Sequence, residues 1–318
     1  MTRCLYCYDK ITDEKQIKQE FHQRCSMKFL GSKIPPRIEY VQSDMLELAE
    51  KVVNSQKTIT GVQPKLSLGR KKMTEDSNIE RFIIVGLWRG QYILKPQTEL
   101  YKELPEIEDL TMHLAESVKI KTVPHSLIRL KSGEFAYITK RVDRSKKRKF
   151  HMEDMCQLTE RQTEHKYKGS HEQIAKAINS YSSNPGLDRV NFYELVLFCY
   201  LTGNNDMHLK NFSLLKDEKK EYNLCPAYDL VASELVVEGD DKELALNLNG
   251  KKRKLKRKDF EKAMDTSGIN QKAVQNVFDK FETINSTWFE IIDKSFLSDK
   301  MKQNYKEMVN LKRQILNK

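Results

Sequence analysis

The feature that most constrains this chain is an apolar segment followed at once by a polar cluster and a hairpin. Residues 190–201 (VNFYELVLFCYL) are apolar nearly all round, which is typical of a helix buried in a large core. The cluster that follows, 204–211 (NNDMHLKN), precedes two short apolar runs at 212–215 and 222–224, and Pro226–Leu230 (PAYDL) comes after them. This order predicts a buried helix, a polar loop and a β-hairpin with polar groups at both of its ends.

Side chains of this segment have the arrangement that phosphoryl transfer requires. Asp206 and Asn211 have the D-x-x-x-x-N spacing of a kinase catalytic loop, and Asp229 follows the hairpin. In such enzymes one carboxylate accepts the hydroxyl proton, while an amide and a second carboxylate hold Mg²⁺ on the nucleotide phosphates. We therefore predict Asp206 as the base and Asn211 and Asp229 as magnesium ligands. Lys210 is predicted to stabilise charge on the transferred group.

The competing interpretation of this segment is a chance match. The spacing of Asp206 and Asn211 occurs often by accident, and Asp206 would then be an ordinary turn residue. The order of helix, loop, hairpin and Asp229 is much less accidental, and it favours the catalytic interpretation.

Upstream of residue 142 the sequence is strand-like and contains a lysine of interest. Short apolar runs separated by turn residues lie at 65–68, 81–85, 91–95 and 135–139. Lys95 ends one of these runs, where a lysine requires a partner, and it fits the strand lysine that reaches the nucleotide phosphates of a kinase. A helix is predicted at Ile107–Val118, and Glu108 on it is a candidate partner. Glu103 and Glu106 remain open.

Composition and charge bound the class of protein. The mean hydropathy is −0.67, and no apolar run reaches the roughly 18 residues that span a bilayer. The N-terminal sequence MTRCLYCYDK lacks the apolar core of a secretory signal, so we expect a cytoplasmic protein. Part of the net charge of +11 lies in residues 144–149 and 251–258. These runs either bind a polyanionic partner, which we favour, or are solvated loops.

A cluster of metal-ligand residue types lies near the N-terminus. Cys4, Cys7, His22 and Cys25 have the spacing C-x₂-C-x₁₄-H-x₂-C. Two close pairs separated by a loop each supply one edge of a tetrahedral Zn²⁺ site, which stabilises a segment too short to fold on its own core. The alternative is a chance cluster. In a reducing compartment disulfides are rare, and we favour structural zinc.

Six segments, in chain order, resemble the motifs of the HipA family of toxin kinases. They are TITGVQPKLSL, YILKP, ITKRVDR, HMEDMCQL, NNDMHLKNFSLL and CPAYDL. The resemblance covers residues 56–232 in detail, and the length is similar to the shorter, HipT-like branch. It implies an α+β, two-lobed protein-kinase-like fold with a small mostly-β N-lobe and a larger mostly-α C-lobe. The predicted organisation is a Cys/His segment at 1–36, the N-lobe at 37–149 and the C-lobe at 150–318.

The resemblance also implies roles for a loop before the first strand. In the family this loop covers the nucleotide phosphates, and Lys95 would contact them. The corresponding residues here are Gly61, Val62, Gln63 and Lys65. The family autophosphorylates a hydroxyl residue of the loop, and Thr58 and Thr60 occupy the two hydroxyl positions where the family has serine.

The function that the resemblance implies is an ATP- and Mg²⁺-dependent serine/threonine kinase, the toxin of a type II toxin–antitoxin system. The expected substrate is an aminoacyl-tRNA synthetase. The expected partners are a DNA-binding HipB-like antitoxin, through which any nucleic-acid contact would be indirect, and a small HipS-like protein; no membrane partner is expected. Two alternatives stay open: a catalytically weak regulator that binds antitoxin or nucleic acid through the Cys/His segment and basic runs, and a kinase acting on a small molecule.

Overall fold

The chain divides into two compact units. The computed structural model describes residues 2–45, 47–48, 65–74, 79–86, 89–145, 148–282 and 284–317. Unit 1 consists of Met1–Asp109, Val123–Val142 and Lys294–Phe296, and unit 2 consists of Leu110–Thr122, Asp143–Asp293 and Leu297–Lys318. The predicted boundaries at residues 36 and 149 stay a prediction. Within the described part of the chain, no helix is both long and apolar enough to cross a membrane.

Unit 1 is built on a five-stranded antiparallel sheet in the order β2-β1-β3-β5-β4. Its strands are β1 (Leu66–Lys72), β2 (Glu80–Ile84), β3 (Tyr92–Pro96), β4 (His125–Arg129) and β5 (Phe135–Lys140). Alternate side chains such as Leu66, Leu68 and Leu94 face a core that also takes in Phe29. The four predicted strands are confirmed as β1, β2, β3 and β5, while β4 was not predicted.

Unit 1 also contains helices α1 (Glu14–Gln19) and α2 (Gln23–Leu30) and the first turns of α3 (Leu104–Ser117). Helix α1 begins where the Asp13 carboxylate accepts a hydrogen bond from the Gln16 amide, 2.9 Å away. The predicted helix Ile107–Val118 is confirmed as α3, which starts three residues earlier than its apolar pattern.

Unit 2 is mostly helical. Its helices are the rest of α3, α4 (Met155–Leu158), α5 (His171–Tyr181), α6 (Pro185–Leu201), α7 (Arg257–Thr266), α8 (Gln271–Glu282), α9 (Asn285–Lys294) and α10 (Asp299–Leu316). Its strands are β6 (Arg144–Ser145), β7 (Arg148–Lys149), β8 (Met152–Asp154), β9 (Ser213–Lys216) and β10 (Tyr222–Leu224). Together, a sheet-rich unit and a mostly helical unit confirm the α+β class.

The buried helix and the hairpin of unit 2 are as predicted. Helix α6 is buried nearly all round from Phe192 to Leu201, and it starts at Pro185, earlier than the apolar pattern, because proline is favoured in the first helical turn. Strands β9 and β10 pair antiparallel, and β8 adds a third strand alongside β9. Helices α8, α9 and α10 follow in the C-terminal part of the unit.

Candidate functional site

The loop after helix α6 presents one carboxylate at the surface of unit 2. Asp206 is exposed, whereas Asn205 and Met207 on either side of it are buried. The Tyr167 hydroxyl donates a hydrogen bond to Asp206 Oδ1 at 2.5 Å. Burial, followed by this hydrogen bond, raises the pKa of Tyr167 well above its usual range. Asp206 therefore accepts a hydrogen bond from a hydroxyl group, which is the type of group that a general base must contact.

The open end of the hairpin, where β9 begins and β10 ends, brings together an amide and a carboxylate. The Asn211 side-chain nitrogen donates to Asp229 Oδ2 at 3.0 Å. Asn211 is 5% exposed, and its Oδ1 is buried with no hydrogen-bond partner among the described residues. Asp229 has a left-handed backbone with φ of 60°, a conformation that is uncommon for residues other than glycine and found at functional sites. A buried amide oxygen beside a carboxylate gives two oxygen ligands of the kind that Mg²⁺ prefers.

Lys210 lies between these groups in sequence and binds another side chain. Its Nζ is 3.0 Å from Asp154 Oδ2, and Asp154 also caps helix α4 through the Gln157 amide. The Tyr228 hydroxyl donates to the Lys210 carbonyl at 3.0 Å, which connects the loop of Asp206 with the segment before Asp229. The predicted contact of Lys210 with a phosphoryl group stays a prediction.

In unit 1, Lys95 forms a buried ion pair. Its Nζ lies 2.5 Å from Glu108 Oε1, and the two side chains are 4% and 0% exposed. The structure thus confirms Glu108, the candidate partner named from the sequence, over Glu103 and Glu106. The Lys95 ammonium also lies 5.5 Å from the centre of the Tyr137 ring. In the first turn of α3, burial raises the pKa of Glu106 to about 7.

Most of the predicted phosphate-covering loop lies outside the described residues. This applies to Thr58, Thr60, Gly61, Val62 and Gln63. Lys65 is described, and it is an exposed residue directly before β1.

In unit 1 the four N-terminal ligand residues converge. One ligand atom from each of Cys4, Cys7, His22 and Cys25 lies within 4.8 Å of all the others. Hydrogen bonds with Cys25 and Cys7 lower the pKa of the Cys4 thiol, while hydrogen bonds with Cys25 and Cys4 raise that of Cys7. These residues fit the tetrahedral N/S donor set of a structural Zn²⁺ site.

Ion pairs within unit 2 use part of the positive charge of the second basic run. Lys251 Nζ lies 2.8 Å from Asp259, and Arg257 lies 2.8 Å from Glu261. Of the first run, Arg144 is half-buried and lies 3.7 Å from Asp143. A polyanionic partner for these runs stays a prediction.

Comparison with known proteins places this geometry in a family. The family model described as the HipA-like C-terminal domain matches residues 57–288, which is more than half of the chain. The chain belongs to the HipA-like C-terminal domain family. The match includes Lys95, Asp206, Asn211 and Asp229, and it begins after the Cys/His segment.

Two curated relatives of this HipA-like chain are named as kinases. A Haemophilus influenzae protein named "Putative kinase" is 32% identical over 187 residues, which are 55% of this chain and 52% of that protein. A Sinorhizobium fredii protein named "Putative kinase Y4dM" is 32% identical over 176 residues, 52% of this chain and 42% of that protein. The chain therefore spans about half the length of the curated relatives it matches.

Solved structures show that the HipA-like chain has a kinase-like fold. Shewanella oneidensis HipA, solved with HipB and operator DNA, matches with a TM-score of 0.69 at 20% identity, over 85% of this chain and 71% of that one. The Helicobacter pylori proinflammatory kinase CtkA matches with a TM-score of 0.54 at 16% identity, over 79% of this chain and 93% of that one. The predicted fold class is confirmed.

Sequence reasoning missed two residues of the candidate site. Tyr167 lies 39 positions before Asp206, and Asp154 lies 56 positions before Lys210. Tyr167 lies outside the six family-like segments, whereas Asp154 lies in one of them, HMEDMCQL, but no spacing pairs it with Lys210. Only the tertiary structure brings them to the loop.

Proposed function

We propose that this protein is an ATP-dependent serine/threonine protein kinase. The observation that carries the proposal is the buried Asn211 Oδ1, which has no hydrogen-bond partner among the described residues and lies beside Asp229, at the end of the loop that presents Asp206. An unsatisfied buried acceptor has a free-energy cost, and a bound cation removes it. The family match and the relatives named as kinases support the same activity.

In the proposed reaction a serine or threonine hydroxyl attacks the γ-phosphorus of ATP. An O–P bond forms to the acceptor, the bond from the γ-phosphorus to the bridging oxygen breaks, and ADP leaves with that electron pair. The hydroxyl proton passes to the Asp206 carboxylate, in the position where the Tyr167 hydroxyl donates. Mg²⁺ supplies charge neutralisation on the phosphates when bound, and Asn211 and Asp229 would hold it. Lys95 would contact the nucleotide phosphates and Lys210 the transferred group.

We further propose that the kinase is a cytoplasmic toxin. The support is the likeness to HipA, which was solved in a complex with HipB and operator DNA. On this basis the main partner is a HipB-like antitoxin. The resemblance to the HipA family further implies an aminoacyl-tRNA synthetase as the substrate and a small HipS-like protein as a second partner. Gly61, Val62, Gln63 and Lys65 would cover the phosphates, and Thr58 or Thr60 would accept phosphate in an autophosphorylation.

Phosphoproteomics of cells that express the wild type or Asp206→Ala tests this proposal. The wild type should arrest growth and add phosphate to serine or threonine of a synthetase, and Asp206→Ala should do neither. Equal growth arrest by both forms would show that phosphoryl transfer is not the cause, as in a regulator that acts by binding. A phosphorylated small molecule with an unchanged phosphoproteome would instead favour a small-molecule kinase.

A further inference from the structure

The Cys/His cluster has the detailed geometry of a metal site. His22 Nε2 lies 3.2 Å from the Lys10 carbonyl oxygen, which can only accept, so Nε2 carries the proton. Nδ1 is then the ring nitrogen with a free lone pair, and it lies 3.4 Å from Cys7 Sγ and 3.9 Å from Cys25 Sγ. A backbone carbonyl that fixes the tautomer in this way is the usual outer contact of a zinc-bound histidine. In addition, the His22 amide donates to Cys4 Sγ at 3.4 Å.

The segment around the cluster has little core of its own. Helix α1 has six residues and none of them is buried, and α2 has eight residues. The apolar side chains near the cysteines form a small group that includes Leu5, Ile11 and Phe21 and is completed by Leu127 of strand β4. A segment of this size requires a further source of stability, which a structural metal ion supplies.

The turn that contains Cys4 and Cys7 has an unfavourable backbone conformation next to the second cysteine. Tyr8 has φ of 63°, and a bulky residue in the left-handed region is a genuine outlier. Its amide donates to the Cys4 carbonyl at 2.9 Å, and the Cys4 amide donates to the Asp9 carbonyl at 2.9 Å. Metal bonds from Cys4 and Cys7 would hold this turn closed against its strain.

The strained residue contacts helix α3 at a position next to Glu108. The Tyr8 hydroxyl donates to Asp109 Oδ2 at 2.8 Å, and Asp109 is fully buried. The other Asp109 oxygen lies 2.7 Å from His125 Nδ1. Asp109 follows Glu108 directly, so the Tyr8 hydrogen bond acts on the helical turn that pairs with Lys95.

A second route connects the same turn with Lys95. The His125 ring stacks on Tyr137 with ring centres 6.0 Å apart, and Tyr137 lies directly opposite Lys95 in the pairing of β3 with β5. All of these residues belong to unit 1.

We propose that Cys4, Cys7, His22 and Cys25 bind one Zn²⁺, and that the metal-bound turn positions helix α3 through the hydrogen bond from Tyr8 to Asp109. Zinc then acts as a structural ion that maintains the Lys95–Glu108 pair. Tyr8 is a positioning residue. Zinc binding and the positioning of helix α3 are independent of the proposed kinase activity. Only an effect on phosphoryl transfer rests on that proposed function.

Metal analysis of the full-length, untagged protein, purified without chelator, tests the zinc site. The wild type should contain about one zinc ion per chain, and Cys4→Ser/Cys7→Ser should contain none. The matched control is Cys156→Ser/Cys199→Ser, which replaces two buried cysteines of unit 2 and should retain the zinc. A wild type without zinc, a cluster variant that retains it, or a disulfide between two of the three cysteines would overturn the proposal.

Cobalt substitution keeps the test decisive where the cluster variant fails to fold. Wild-type protein produced with Co²⁺ should show the visible absorption of tetrahedral cobalt with sulfur ligands. Absence of these bands in cobalt-loaded protein would also overturn the zinc site.

Amide hydrogen exchange tests the connection to helix α3. In Tyr8→Phe the zinc should remain, while the amides of residues 104–117 exchange about tenfold faster, because a buried hydrogen bond to a charged group is lost. Tyr40→Phe is the matched control, since Tyr40 is another tyrosine of unit 1 and is partly buried. Equal exchange in Tyr8→Phe and Tyr40→Phe would contradict the positioning role, whatever the outcome of kinase assays. If exchange is faster in Tyr8→Phe as expected, a lower kcat of the same variant extends the effect to the proposed activity.

Discussion

Lys95 and Asp206 are both charged residues of the proposed kinase, and their surroundings are opposite. Lys95 is 3% exposed and pairs with Glu108, which is fully buried. Asp206 is exposed and accepts a hydrogen bond from Tyr167, which is itself 43% exposed. A buried pair is costly to break, whereas an exposed carboxylate is free to exchange one hydroxyl partner for another. The comparison predicts that replacing Lys95 lowers the stability of the fold, whereas replacing Asp206 leaves the stability nearly unchanged.

The largest expected effect on stability is that of breaking the buried pair. Lys95→Met leaves Glu108 as an uncompensated buried charge and should lower the free energy of unfolding by about 3–5 kcal/mol. Urea denaturation measures this. The double variant Lys95→Met/Glu108→Leu should recover most of the stability and none of the phosphoryl transfer. An equally unstable double variant would contradict the assignment of the loss to the unpaired Glu108.

A substitution of Asp229 tests whether Asn211 and Asp229 hold the metal. Asp229→Asn should reduce ATP turnover about 10²-fold, because a charged group at the reacting phosphates is lost. The Mg²⁺ concentration needed for half-maximal turnover should also rise. Glu218→Gln, in the exposed turn of the same hairpin, controls for the loss of one negative charge. An unchanged Mg²⁺ requirement would argue against Asp229 as a ligand.

Glu106 tests how buried charge in unit 1 depends on pH. Its folded-state pKa of about 7 lies above the value of about 4.5 that an unfolded chain gives. Between these values the unfolded state ionises first, so the free energy of unfolding should fall as pH rises. Between pH 5 and pH 8 the free energy of unfolding of Glu106→Gln should therefore decrease by about 1–2 kcal/mol less than that of the wild type.

Thermal unfolding at several pH values measures the difference. The exposed Glu99→Gln variant controls for the loss of one negative charge. A Glu106→Gln variant with the same pH dependence as the wild type would contradict the raised pKa of Glu106.

The smallest expected effect concerns Tyr167. Its hydroxyl competes with a substrate hydroxyl for Asp206 Oδ1, so Tyr167→Phe should lower the KM for the protein substrate by roughly three- to tenfold. Tyr181→Phe, at another exposed tyrosine of unit 2, is the control. A higher KM or a lower kcat would show that Tyr167 orients Asp206 instead of competing with the substrate.

Much of the fold and part of the candidate site were predictable because they depend on local pattern. The apolar helix before Asp206, the hairpin before Asp229 and the close spacing of Cys4 and Cys7 are all contained in short stretches of sequence. The sequence named Glu108 as a candidate partner of Lys95 but could not exclude Glu103 and Glu106, because these nearby glutamates differ mainly in what packs around them in the folded chain.

Contacts between residues far apart in the sequence could not be predicted. Tyr8 and Asp109 are 101 residues apart and Tyr167 and Asp206 are 39 apart, and nothing in the sequence pairs them. Strand β4 was missed because its first residues, His125 and Ser126, are polar although both are buried in the folded chain. In each case tertiary packing decides the outcome.

The most direct test of the account is transfer of the γ-phosphoryl group of Mg-ATP by purified protein, measured together with urea unfolding for the wild type and Asp206→Ala. The wild type should transfer phosphate to itself or to a protein substrate. Asp206→Ala should lose about 10²–10⁴-fold in rate, as expected for removal of a general base. Its unfolding midpoint should stay close to that of the wild type, because Asp206 is exposed. A fully active Asp206→Ala protein, or a wild type with no transfer, would contradict the central claim.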